Sequence, residues 1–216
     1  MKQKYLVGIA CGMMLLGMAG MVNATLIFSD NFDGENNGNI SPNYVSFDNW
    51  TVSDGNVDLV SAPLDAVLSI NTLTDNGLFV DMDGSGLHFG NMDAGKMTHI
   101  FTLDPGDYIL SYSLAGNQRR PLDIDQVNVS VGQGSLVNSS HALSWDSPFT
   151  SFTQEFSIAS IELVQLSFEG IGGDDIGMLL DDIKLEKVDP VPESATILLM
   201  GIGLAGLVNA RRKNKR

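Results

Sequence analysis

The run Asn117-Gln118-Arg119-Arg120 sets two amides and two guanidinium forks side by side, directly after Gly116 and an alternating apolar stretch. Amides hydrogen-bond arrays of hydroxyls, and a guanidinium grips a carboxylate bidentately, so these groups suit sugar hydroxyls or a uronate. The competing role is local: counter-charge to Asp123 and Asp125. Trp145, on a polar stretch ahead of Pro148, offers a ring for stacking, as do Trp50 and Tyr44. Trp50 alternates with Val52, which favours a place in the core.

Catalytic patterns are harder to find. Asp81-Met82-Asp83-Gly84-Ser85-Gly86 starts like a calcium-binding EF-hand loop, but its twelfth position is Met92, where a bidentate glutamate is needed; a hairpin turn is predicted instead. His88, His99 and His141 fall into no HExxH, nucleophile-elbow or zinc spacing. A glycosidase needs two carboxylates at a set separation. Here carboxylates occur everywhere, so their presence selects nothing, and the expected chemistry is binding, not turnover.

The elements that must carry these residues alternate with period two. Tyr108, Leu110, Tyr112 and Leu114 do so in one segment, Val127, Val129 and Val131 in another, and Phe152, Phe156 and Ile158 in a third. Further candidate strands are 25–28, 49–52, 56–60, 77–82, 96–103, 164–170 and 179–188. Turn signals such as Asp54-Gly55, Asp104-Pro105-Gly106 and Gly172-Gly173-Asp174 separate them. No sustained 3.6-residue period appears, so the sequence predicts an all-β, antiparallel jelly-roll sandwich.

Both ends differ from this middle. Lys2 and Lys4 precede an apolar run, and Val22-Asn23-Ala24 supplies small residues, the layout of a signal peptide (1–24) read by signal peptidase. Cys11, the only cysteine, lies inside it, so no thiol, disulfide or cysteine metal ligand is expected after removal. Residues 194–210 carry no charge and are followed by the basic tail 211–216, the pattern of a transmembrane helix with its tail held in the cytoplasm. Residues 189–193, with Pro190 and Pro192, form an extended linker to the sandwich at 25–188. Between the ends, in 25–193, all 26 acidic residues face five basic ones, a balance of −21. Such a surface repels nucleic acid and anionic lipid.

The tail resembles the PEP-CTERM sorting signal of Gram-negative bacteria: Val191-Pro192-Glu193 stands for the Pro-Glu-Pro-like motif, with Ser194 replacing its second proline, followed by one helix and a basic end. The resemblance implies exosortase as partner, transient membrane anchoring, and release or attachment at the cell surface or extracellular matrix. The stretches 49–60, 79–86, 101–120, 147–158 and 172–185 resemble, in that order, secreted galactose-binding-like jelly rolls. That resemblance implies binding of exopolysaccharide or cell-wall glycan. It also implies a structural calcium ion, held by carboxylates at the positions of Asp33 and Asp182 with backbone carbonyls. The local alternative is two ordinary turn or edge acids, Asp182 pairing with Lys184. Two other functions are weighed beside glycan binding: a structural or adhesive matrix protein associating through bridging cations, and a glycoside hydrolase.

Overall fold

The computed structural model describes residues 23–62, 77–85, 93–121, 124–189, 200–204 and 211. Residues 1–22 of the expected signal peptide 1–24, the motif residues Val191, Pro192 and Glu193, and His88 lie outside the described residues. Of the expected transmembrane segment, Met200–Leu204 is helical, and among the described residues no helix is long and apolar enough to cross a membrane. One unit spans Thr25–Lys187; Met1–Ala24 and Val188–Arg216 fall outside it.

Alternation turns into burial as expected. Strand β6 (Gly106–Ala115) sends Tyr108, Leu110, Tyr112 and Leu114 inward, all at most 2% exposed. Strands β7 (Ile124–Val131), β9 (Thr150–Ile158) and β10 (Glu162–Ile171) bury Val127, Val129, Val131, Phe156, Ile158, Val164, Leu166 and Phe168 in the same core. Each such side chain contributes roughly 1.5–3 kcal/mol relative to exposure. The remaining strands are β1 (Asn23–Asp30), β2 (Thr51–Ser53), β3 (Asp58–Ser61), β4 (Leu78–Asp81), β5 (Lys96–Leu103), β8 (Val137–Ser144) and β11 (Leu179–Asp189). One sheet runs β3-β4-β11-β6-β9, with β1 also on β11; the other runs β2-β5-β10-β7-β8. From β8 onward each successive strand changes sheet (β8 to β9, β10, then β11), as do β4 to β5, β5 to β6 and β6 to β7. The chain is an antiparallel jelly-roll sandwich with its apolar core between the layers.

Three local features depart from the sequence reading. Segment 81–85 is no hairpin, because β4 and β5 belong to different sheets. Strand β8 is absent from the sequence-predicted set: VNSSHALS has few apolar residues, and its exposed, sheet-edge place lets polar side chains occupy most positions. Strand β11 buries both Leu180 and Ile183, three residues apart, which strict alternation forbids. Asp182 between them takes a left-handed φ of 51°, an extra residue that re-aims the strand, as bulges do.

Candidate functional site

The outward residues of the five-stranded sheet line up in rungs. Ser53 pairs with Lys96, Lys96 with Glu169, Glu169 with Asn128, and Asn128 with Ser140. Two residues along, Thr51 pairs with Thr98, Thr98 with Ser167, Ser167 with Ser130, and Ser130 with Asn138. The pleat requires this. Val127, Val129, Leu166 and Phe168 must point into the core, so Asn128, Ser130, Ser167 and Glu169 point out. Each rung crosses five strands, about 19 Å at ordinary strand spacing.

A groove of about 440 Å³ opens over these rungs, lined by Lys96, Asn128, Ser130, Gln165, Ser167 and Glu169, with Asn138 and the β7–β8 turn at its end. Its floor is pre-ordered: the Ser130 and Ser167 hydroxyls lie 2.7 Å apart, and Gln126 Nε2 donates to Asn128 Oδ1 at 3.2 Å. Lys96 Nζ stands 3.8 Å from Glu169 Oε2. Hydroxyls, amides and one loose ion pair present donors and acceptors together, with no aromatic ring among the lining residues. An extended polyhydroxylated chain laid over the rungs meets such groups at each sugar edge.

The residues singled out from the sequence lie elsewhere. Asn117 and Gln118 are buried, at 0% and 3% exposure. Asn117 Nδ2 donates to Asp125 at 2.7 Å, while its Oδ1 accepts from the backbone N–H groups of Arg119 and Arg120. Gln118 Nε2 donates to the Ser147 carbonyl at 2.7 Å. Gly116 before them lies so close to β8's end that an added Cβ would meet the Ser144 carbonyl oxygen at 2.0 Å. Arg119 pairs with Asp81, which is fully buried, and Arg120 with Asp174. The two amides and the Arg119 guanidinium are thus held inside the protein, while Arg120 lies exposed beside Asp174; Asp125 accepts from Asn117, and Asp123 lies outside the described residues. Trp145 is half-buried, and its carbonyl accepts from Gln118 N–H. Trp50 is in the core at 4% exposure, as its alternation implied, and donates from Nε1 to Asp30. Tyr44 packs on Phe47, and its hydroxyl donates to the Ser46 carbonyl.

The two positions expected to hold calcium, Asp33 and Asp182, both lie at the surface. Asp33 is exposed and accepts from Leu78 N–H and Asn31 Nδ2; Asp182 is also exposed, turned outward by the bulge. The buried neighbour is Asp181, 1% exposed, whose carboxyl is pushed up to about 8 by burial and then by the charges of Asp182, Asp33 and Asp30. Among the described residues no three His, Cys, Asp or Glu side chains are arranged to hold a metal.

A second buried acidic network joins β3, β4 and the loop before β11. Asp81 Oδ1 accepts from Asp83 N–H and Gly177 N–H, and Asp83 Oδ2 from Gly173 N–H and Asp174 N–H. Burial raises the Asp81 carboxyl to about 7 against the opposing pull of Arg119. Asp58 accepts from Asn43 N–H and from Ser85 N–H and Oγ. These groups knit loops together.

The groove residues stand on strands, apart from the loop residues that the sequence marks as candidates. The signal was there: between Val127, Val129 and Val131 stand Asn128 and Ser130, and between Leu166 and Phe168 stands Ser167. In so acidic a domain, facing strands that alternate apolar residues with amides and hydroxyls mark a face kept nearly free of acids.

Fold and groove define a class: a jelly-roll β-sandwich with a polar groove across one sheet. Residues 190–213 match the PEP-CTERM protein-sorting motif, so this chain couples such a sandwich to a sorting signal. Among solved structures it is similar to the CBM22-1 xylan-binding domain of Xyn10C from Paenibacillus barcinonensis, at 12% identity, covering 80% of this chain and 100% of that one, with a TM-score of 0.46. It is also similar to the CBM6cm-2 carbohydrate-binding module of Cellvibrio mixtus lichenase 5A, solved with cellotriose (12% identity, 76% and 100% covered, TM-score 0.40). A family 35 carbohydrate-binding module from Clostridium thermocellum matches at 11% identity over 68% of this chain and 95% of that one, TM-score 0.39. No curated protein matches the sequence.

Proposed function

We propose that this chain is an exported protein, processed by exosortase at its sorting motif, whose sandwich binds a polysaccharide of the cell surface or matrix in the groove over β5, β10, β7 and β8. The observation that carries this is the pair of five-residue polar rungs under a 440 Å³ groove. The role is binding without catalysis: the groove lining holds a single carboxylate, Glu169, beside Lys96, whereas glycoside hydrolysis works with two. With no ring in the lining, affinity comes from hydrogen bonds, each worth roughly 0.5–1.5 kcal/mol net.

The test is binding of the processed protein to the producer's own exopolysaccharide and to a glycan array. Asn128→Ala with Gln165→Ala should weaken binding about tenfold while leaving thermal stability unchanged. Equal binding by wild type and variant rules out the groove. Absence of binding to every glycan, with calcium present, removes the reading. Calcium belongs to the proposal through Asp181, not Asp182, with Asp33 beside it and backbone carbonyls for the remaining oxygens. A higher melting temperature in calcium than in EDTA, lost in Asp181→Asn, is expected.

A further inference from the structure

Strand β8 ends the five-stranded sheet, and among the described residues its one strand partner is β7. It is eight residues long, VNSSHALS, with no proline, no Lys, Arg, Asp or Glu, and no positive φ. Residues 126–145, the β7–β8 hairpin and its exit, hold no Asp, Glu, Lys or Arg, the longest such stretch in 25–193. Natural sheets shield exposed edges with charge, proline, bulges or brevity. The other ends here follow that rule: β2 has three residues and β3 four, and the nine-residue β9 carries exposed Glu155 beside Asp107 of β6. Among the ends of the two strand orders the β8 edge is the exception; β1, eight residues lying off that order on β11, carries one charge, Asp30.

We propose that two copies of this chain associate through antiparallel β8–β8 pairing. Charge selects the occupant. Two domains each carrying −21 over 25–193 repel wherever acids meet, and the hairpin at 126–145 is where they approach without opposed carboxylates. Register is limited too. Pairing must join residues of the same face, Asn138, Ser140, Ala142 and Ser144 outside and Val137, Ser139, His141 and Leu143 inside. A two-fold axis therefore passes through Ser140 or through His141, and neither choice opposes like charges. The strand is already rigid, since His141 Nε2 and the Tyr112 hydroxyl are 2.8 Å apart and the ring lies 4.2 Å from that of Phe152. About eight new backbone hydrogen bonds would form. The two five-stranded sheets become one of ten strands, and the outward rungs of one copy continue into those of its partner. The pairing itself rests on the strand edge and the charge map, whatever the groove holds.

The test is the solution mass of the processed protein, freed of polysaccharide, across a wide concentration range. Twice the chain mass is expected. Ser140→Glu with Ala142→Glu sets like charges opposite each other in both registers and should give a single-chain mass with an unchanged circular dichroism spectrum and melting temperature. Ser151→Glu with Thr153→Glu, on the β9 edge, should leave the doubled mass intact. A monomeric wild type overturns the proposal, as does a dimer that survives the β8 substitutions or dissolves on the β9 substitutions.

Discussion

Arg119 and Asp81 show how misleading residue type is without burial. An adjacent pair of arginines in a domain with five cations looks like a ligand grip, yet Arg119 neutralises a carboxylate at 0% exposure. Removing one member of a buried pair strands the other, at a cost of about 3–5 kcal/mol. Arg119→Ala should therefore lower urea-unfolding stability by that order, whereas Arg120→Ala, half-exposed beside Asp174, should cost less than about 1 kcal/mol. Similar losses for both would contradict the assignment. Asp181 makes a prediction in pH. Its folded carboxyl is raised to about 8, so between the ordinary carboxylate range and that value the folded state holds a proton that the unfolded chain has released. The stability this proton supports is complete at low pH and fades as pH climbs through about 8. In calcium-free buffer the melting temperature should thus fall from pH 5 to pH 8, and Asp181→Asn should flatten part of that slope. Asp81, raised to about 7, contributes in the same direction.

At the scale of elements, the sandwich was legible because its core strands obey a single rule. Tyr108 to Leu114, Val127 to Val131 and Ile183 with Leu185 face inward wherever alternation places them. Loop 81–85 and the Asn117–Arg120 segment were misjudged for one shared reason: buried hydrogen-bonded carboxylates and amides carry no period, and only their distant partners reveal them. Asn117 meets Asp125, and Asp83 meets Gly173. Asp182 faces outward with Lys184, as the alternation with Ile183 and Leu185 implied, but its positive φ, which changes the face of the strand before it, leaves no mark in the composition. The groove lay half in view, in the spacing of Asn128 and Ser130, but cross-strand register turns spacing into rungs, and register is a three-dimensional fact. This division of labour is testable. Asn117→Ala takes a donor from Asp125 and an acceptor from two backbone N–H groups, so it should cost about 1–3 kcal/mol of stability. Its glycan affinity, measured below its melting temperature, should match wild type. Reduced affinity in a fully folded Asn117→Ala protein would return the binding site to the loop.

For the whole molecule, the question is whether sandwich and sorting signal work independently. Strand β11 ends at Asp189, and the motif match begins at 190, so the boundary falls between the last ladder residue and the first proline. Pro190 and Pro192 have no N–H to give a sheet. Cleavage near Glu193 would therefore remove no strand that the sandwich needs. Two outcomes follow. Replacing Pro192 and Glu193 with alanine should leave a membrane-retained form whose intact mass still includes the basic tail, while wild type from the same cells is shorter. The melting temperatures of the two forms should agree, because every residue of the core cluster lies between Phe32 and Leu185. An identical mass for wild type and variant would remove exosortase from the account. A sandwich that loses stability on processing would mean that residues beyond 189 are structural, and that the sorting signal is no detachable address.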